Sequence, residues 1–214
     1  MPNTLNRAPV PALLERLFDA AARDPDLWPA DRPFVTAPPQ ERADTLDQVY
    51  MPISARGGDL LYTLVRAIRP ATVVEFGTSY GVSTIYLAAG VTDNGRGHVF
   101  STELSGTKVA AARANLAEAG LDRAVTILRG DALQTLAAVP GPVDFLLLDG
   151  WKDLCLPVLR LLEPRLAPGA LVVADDTTMT SMATYLAYVR DPANGYATVD
   201  FPVEDGMELS CRTW

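Results

Sequence analysis

The chain has 214 residues, 49% of them hydrophobic and 21% charged, with 15 Gly and 17 Pro. That composition can bury a core across a sheet of about five to seven strands, and it excludes intrinsic disorder over most of the length. The net charge of −8, from 18 basic and 26 acidic residues, comes without a basic run, which argues against gripping nucleic acid or an anionic membrane through phosphate contacts.

Taken in chain order, the first 54 residues differ in texture from the rest. No basic stretch followed by an apolar run opens the chain, so no signal peptide is expected. Pro11 can open a helix, and Val10, Leu13, Leu14, Leu17, Phe18 and Ala21 recur at helical spacing. Pro25, Pro29, Pro33, Pro38 and Pro39 then predict extended or turning chain, and residues 42–49 a short helix. Residues 1–54 read as a helical appendage that shapes a substrate or oligomer surface, not as an independent domain. Residues 55–214 read as the main domain.

From Ala55 the pattern becomes regular. Leu60, Leu61, Leu64, Val65 and Ile68 mark one face of a helix that must stop before Pro70. Five apolar runs follow, at 72–76, 99–103, 125–128, 143–149 and 170–175, with helical patterns such as 107–119 and 154–166 between them. Strands apolar on both faces and separated by amphipathic helices predict βαβ units in a parallel sheet. Residues 196–203 and 207–213 flank Glu204-Asp205-Gly206 and predict an antiparallel hairpin closing that sheet. The expected fold is therefore α/β: a Rossmann-like, seven-stranded, mostly parallel sheet with an antiparallel C-terminal hairpin and helices on both faces.

Ligands of open α/β sheets bind beyond the carboxyl ends of the strands. Here those ends carry Gly77-Thr78-Ser79-Tyr80-Gly81, Glu103, Gly130-Asp131, Asp149 and Asp175-Asp176. Five polar endings on one edge describe one site. The turn after the first strand lacks the middle glycine of the dinucleotide fingerprint and the Lys-Ser/Thr of a P-loop, so an adenosine ligand without a phosphate bridge fits better than NAD. Glu103, 26 residues beyond Gly77, is placed to accept two hydroxyls of a ribose. Cys155 and Cys211 are too few for a cysteine zinc site, and the single His98 argues against a histidine-rich one. Only two cations are Lys, Lys108 and Lys152, which makes the placement of each informative. The acidic pairs Asp24/Asp26 and Glu204/Asp205 read as solvated loop charges.

Four segments, Val74 to Ser83, Leu148-Asp149-Gly150-Trp151-Lys152-Asp153, Ala174-Asp175-Asp176 and Asp205 to Glu208, give the chain a resemblance to class I S-adenosylmethionine-dependent methyltransferases. It most resembles their catechol O-methyltransferase branch, over roughly residues 51–212. The resemblance implies that Met51 and Ile53 flank the cofactor, that Gly77, Ser79 and Ser83 hold its methionine end with Glu75 supporting the loop, and that Glu103 takes the ribose. It further implies Asp131, or the backbone beside it, and Trp151 at the adenine, with Asp149 also beside the cofactor. Mg²⁺ falls to Asp149, Asp175 and Asp176, base duty to Lys152, whose pKa is expected to fall beside Mg²⁺ and the sulfonium, and the second substrate hydroxyl to Glu208, with Asp176 also facing the substrate. Animal members of that branch have Asn where this chain has Asp176 and His where it has Gly150, a change expected to open space beside the cofactor. The function so implied is Mg²⁺-dependent O-methylation of a catechol-like small molecule, as in natural-product metabolism. The alternatives are a metal-independent O-methyltransferase and a non-catalytic S-adenosylmethionine-binding protein. The expected partner is a small molecule with adjacent hydroxyls, with neither nucleic acid nor membrane. A homodimer is allowed, and a cytoplasmic location is expected.

Overall fold

A computed structural model describes residues 3–29, 36–203 and 205–214. Seven strands form one sheet: β1 (Thr72–Phe76), β2 (His98–Glu103), β3 (Val125–Arg129), β4 (Val143–Leu148), β5 (Leu166–Asp175), β6 (Tyr196–Phe201) and β7 (Met207–Arg212), in the order β3-β2-β1-β4-β5-β7-β6. The first five pair in parallel, and β7 is antiparallel to both β5 and β6. The chain leaves β1 toward β2 on one side and returns to β4 on the other. A crevice is therefore left at their carboxyl ends, where such sheets bind ligands.

Alternation along the strands builds two cores. Val73, Phe145, Leu147 and Val173 point to one face, against α1 (Val10–Ala21), α4 (Ala55–Ile68), α5 (Val82–Asn94) and α6 (Gly106–Glu118). Val74, Phe76, Leu146, Leu148 and Val172 point to the other, with α7 (Ala132–Thr135), α8 (Cys155–Leu162) and α9 (Ala183–Val189). Each of these buried apolar side chains contributes about 1.5–3 kcal/mol. Among the described residues, no helix is long and apolar enough to cross a membrane.

The N-terminal region departs from expectation in two places. Pro25 and Pro39 open helical turns, α2 (Asp24–Leu27) and α3 (Pro39–Thr45), because a helix's first turn needs no N–H from proline. The helix expected over 42–49 accordingly starts and ends earlier; Pro33 lies outside the described residues. The second departure is Asp24. It is buried, and its carboxylate accepts the backbone N–H groups of Tyr50 (2.8 Å) and Met51 (2.7 Å). Asp26 and Asp205 are exposed, as expected of loop charges, and Glu204 lies outside the described residues.

The region is stitched to the sheet domain elsewhere too. Val10, Leu13, Leu14 and Leu17 of α1 sit in the first core. The N–H and hydroxyl of Thr4 donate to Asp93 on α5 at 2.9 and 2.6 Å. Arg42 of α3 donates to both carboxylate oxygens of Asp153 and lies 4.7 Å from the Trp151 ring centre.

Candidate active site

A cavity of about 440 Å³ lies at the crevice, lined by the turn after β1, by Glu103 at the end of β2, by Asp149 to Asp153 after β4, and by Arg42, Tyr50, Met51 and Ile53 from the N-terminal region. Its floor is set by two glycines. Gly77 has φ +106°, and a Cβ there would lie 2.5 Å from the Asp149 carbonyl oxygen, so only glycine lets the β1 and β4 turns meet. At Gly150 a Cβ would lie 2.5–2.7 Å from the Phe76 ring. This corrects the expectation for Gly150: its small size lets the Phe76 ring pack against the turn, and the room it leaves is already filled.

The turn after β1 is held by hydrogen bonds that converge on two carboxylates. Glu103 accepts the N–H groups of Ser79 and Ser105, each at 2.9 Å, which fixes its side chain at the cavity edge. Glu75 lies beneath, fully buried, and accepts the hydroxyls of Ser83 (2.6 Å), Thr84 (2.6 Å) and Ser101 (2.5 Å). Burial pushes its carboxyl up to about 7, although the three hydroxyls favour the charged form. The Ser79 hydroxyl donates to the Tyr50 carbonyl at 2.5 Å, tying this turn to the N-terminal region. Ser83 and Trp151 also line the cavity. Met51, Ser79 and Asp176, three of the four non-glycine residues with positive φ among the described residues, line it as well (φ 46°, 46° and 55°). Such conformations cost about 1–3 kcal/mol each and persist where surrounding contacts impose them.

At the carboxyl ends of β4 and β5 stand the three aspartates. Asp149, Asp175 and Asp176 each offer an oxygen, and those oxygens lie within 4.8 Å of one another. Burial raises the Asp149 carboxyl, working against the attraction of Lys152, and burial together with the Asp149 charge pushes Asp175 up to about 8. Lys152 Nζ lies 2.8 Å from Asp149 Oδ1 and 3.0 Å from Asp176 Oδ2. Burial alone would release its proton, but these acids outweigh burial and raise its pKa. The lowering expected of Lys152 belongs to a site holding Mg²⁺ and a sulfonium; among the side chains alone, the acids set the direction. A negative cluster holds the ammonium charged.

Two further expected residues lie elsewhere. Glu208 is fully buried on β7 beside Ala174. Its carboxylate accepts from Arg190 (2.9 and 2.6 Å) and from the Thr198 hydroxyl (2.7 Å), and it does not line the cavity, so the structure does not bring it to a substrate hydroxyl. Alternation explains this: Glu208 shares a sheet face with Ala174, facing the second core. Asp131 caps α7 by accepting the Leu133 N–H at 2.9 Å, and the backbone on either side of it, at Gly130 and Ala132, lines the cavity instead. Asp24, Arg42, Tyr50, Tyr80 and Lys108 were not foreseen as site residues. Only Lys108 carried a signal, as one of two lysines.

Residues 74–177 match a family described as a methyltransferase domain. Residues 74–177 form a class I methyltransferase domain. The chain is similar to the catechol O-methyltransferase of Mycobacterium tuberculosis, 33% identical over 135 residues, 63% of this chain and 60% of that one. It is similar also to catechol O-methyltransferase B of Danio rerio, 28% identical over 174 residues, 75% of this chain and 65% of the relative. The chain thus spans about 60–65% of the length of these relatives. The O-methyltransferase of Bacillus cereus, solved in complex with SAH, superimposes with a TM-score of 0.70 at 21% identity, covering 94% of this chain and 91% of that one. At that identity the likeness concerns the fold, and it places the methyltransferase domain in a sheet architecture shared from end to end.

Proposed function

We propose that this chain transfers a methyl group from S-adenosylmethionine to a hydroxyl of a small molecule with adjacent hydroxyls, using Mg²⁺ held by Asp149, Asp175 and Asp176. The observation that carries this reading is the approach of those three carboxylates to within 4.8 Å of one another beside Lys152, with Asp149 and Asp176 lining the cavity. Burial, reinforced by the neighbouring Asp149 charge, raises Asp175 to about 8, and a hard dication is the partner that would relieve the cluster. Catechol O-methyltransferases among the similar proteins, and the bound SAH in a structural neighbour, support the same reading.

The chemistry sets a clear demand. A phenol ionises with a pKa near 10, so about one molecule in a thousand is an anion at pH 7, and removing that handicap takes roughly 4 kcal/mol. When bound, S-adenosylmethionine supplies the electrophilic methyl, and Mg²⁺ supplies the positive charge that stabilises the substrate oxyanion. The three aspartates would hold the ion on hard oxygens, fixing where the substrate hydroxyl sits. Lys152, held as an ammonium by Asp149 and Asp176, would lose that support once a cation neutralised those carboxylates; it would then release its proton to solvent, and the neutral amine would be placed to take the hydroxyl proton. Glu103, Ser79 and the backbone of Gly77 would orient the cofactor, with Met51 and Trp151 packed on it. Residues 1–54 would act as the wall that shapes substrate choice.

Incubation with S-adenosylmethionine and a panel of catechols tests this. Methylated product is expected with Mg²⁺, falling at least 100-fold with EDTA and in the Lys152→Ala variant. Turnover indifferent to EDTA rejects the metal role, and binding of S-adenosylhomocysteine without turnover on any catechol rejects the substrate class.

A further inference from the structure

Lys108 sits where an ammonium is disfavoured twice over. It is 3% exposed, and it occupies the first turn of α6, where the helix dipole repels a positive charge. Its backbone N–H is satisfied by the Ser105 hydroxyl at 3.3 Å, but its Nζ has no hydrogen-bond or ion-pair partner among the described residues. Nζ lies over the Tyr80 ring, 6.0 Å from its centre. Glu103, Asp24 and Asp47 pull on its charge from beyond contact distance, and burial still leaves its pKa below that of an ordinary lysine. Lys108 lines the cavity beside Glu103, so the missing acceptor can come from whatever fills it.

The two groups differ in kind. Glu103 is an acceptor whose carboxylate is fixed by the Ser79 and Ser105 N–H groups, and Lys108 offers three donors and no acceptor. A hydroxyl can donate to the first while accepting from the second. We propose that Lys108 is a ligand-binding residue that, with Glu103, clamps the two hydroxyls of the cofactor's ribose as a donor–acceptor pair. The assignment rests on the reading of the cavity as an S-adenosylmethionine site. It explains why a lysine is held unpaired at a helix start: the ligand supplies the oxygens that the chain withholds.

The test is calorimetric titration of wild-type protein, Lys108→Met and Lys108→Gln with S-adenosylhomocysteine and with its 2′-deoxy and 3′-deoxy analogues, alongside thermal unfolding without ligand. Wild type is expected to prefer the parent ligand over the analogues by at least tenfold. Both variants should lose at least tenfold in affinity for the parent and keep less than a threefold preference over one of the analogues. Lys108→Met should melt no lower than wild type, because it removes an unpaired charge. Parent affinity within twofold of wild type in either folded variant overturns the assignment, as does an equal loss for parent and both analogues. If wild type itself binds no S-adenosylhomocysteine, the reading of the cavity fails first. Binding that survives in the variants refutes only Lys108.

Discussion

Asp24 shows how one carboxylate can place a segment. Its two oxygens take the N–H groups of Tyr50 and Met51, and Met51 follows with φ 46° at the cavity wall. Asp24→Ala leaves both donors without their acceptor, at about 1–3 kcal/mol for a buried unsatisfied group. We expect a loss of about 2–3 kcal/mol in urea unfolding, and a loss below 0.5 kcal/mol would show that water replaces the carboxylate at no cost. Glu75 gives a pH dependence whose sign follows from linkage. Its carboxyl is raised to about 7 in the folded chain against an ordinary 4.5, so the folded state binds the extra proton between those values. The Glu75 contribution to stability is therefore full below about pH 4.5 and is lost as pH rises through 7. Glu75→Gln should lose ground to wild type at pH 5 and gain on it by pH 8, read as unfolding free energies at both values. A difference that stays constant across that range contradicts the raised carboxyl.

At the scale of elements, the decisive contact is between two turns. The β1 and β4 turns meet at Gly77, with no room for a Cβ beside the Asp149 carbonyl. Gly77→Ala should shift Asp149 and weaken S-adenosylhomocysteine binding at least tenfold by calorimetry, while unchanged affinity would mean that the turns part without consequence. The strands themselves were legible from residues alone, because apolar runs on a doubly covered sheet admit few other readings, and their polar endings marked the edge where the cavity lies. What sequence could not give is which way a side chain leaves its strand end and what it meets there. Glu208 has the right type but lies on the face toward Arg190. Gly150 has the right position, but Phe76 fills the space beside it. The charge of Lys152 depends on two aspartates approaching it together, which spacing along the chain does not encode. Asp24 looked like a loop acid because its partners lie 26 and 27 residues away.

Across the whole molecule, the N-terminal region and the sheet domain share one site. Arg42 joins Asp153 and covers Trp151, Asp24 sets Tyr50 and Met51, and the Ser79 hydroxyl reaches back to Tyr50. The same arrangement sets the electrostatics. On the proposed reading, three aspartates and Mg²⁺ would sum to −1, a catecholate monoanion would take the sum to −2, and a protonated Lys152 with the sulfonium would restore neutrality. Asp176 would add a third negative charge to the proposed ion site, which should tighten metal binding while opposing the phenolate.

That balance turns on the aspartates gathering a dication, which titration of Mn²⁺, followed by electron paramagnetic resonance on protein saturated with S-adenosylhomocysteine, measures directly. The account predicts one bound ion per chain in wild type and at least a tenfold loss of affinity in Asp175→Ala. Equal Mn²⁺ binding by the two proteins, or none by either, would contradict it.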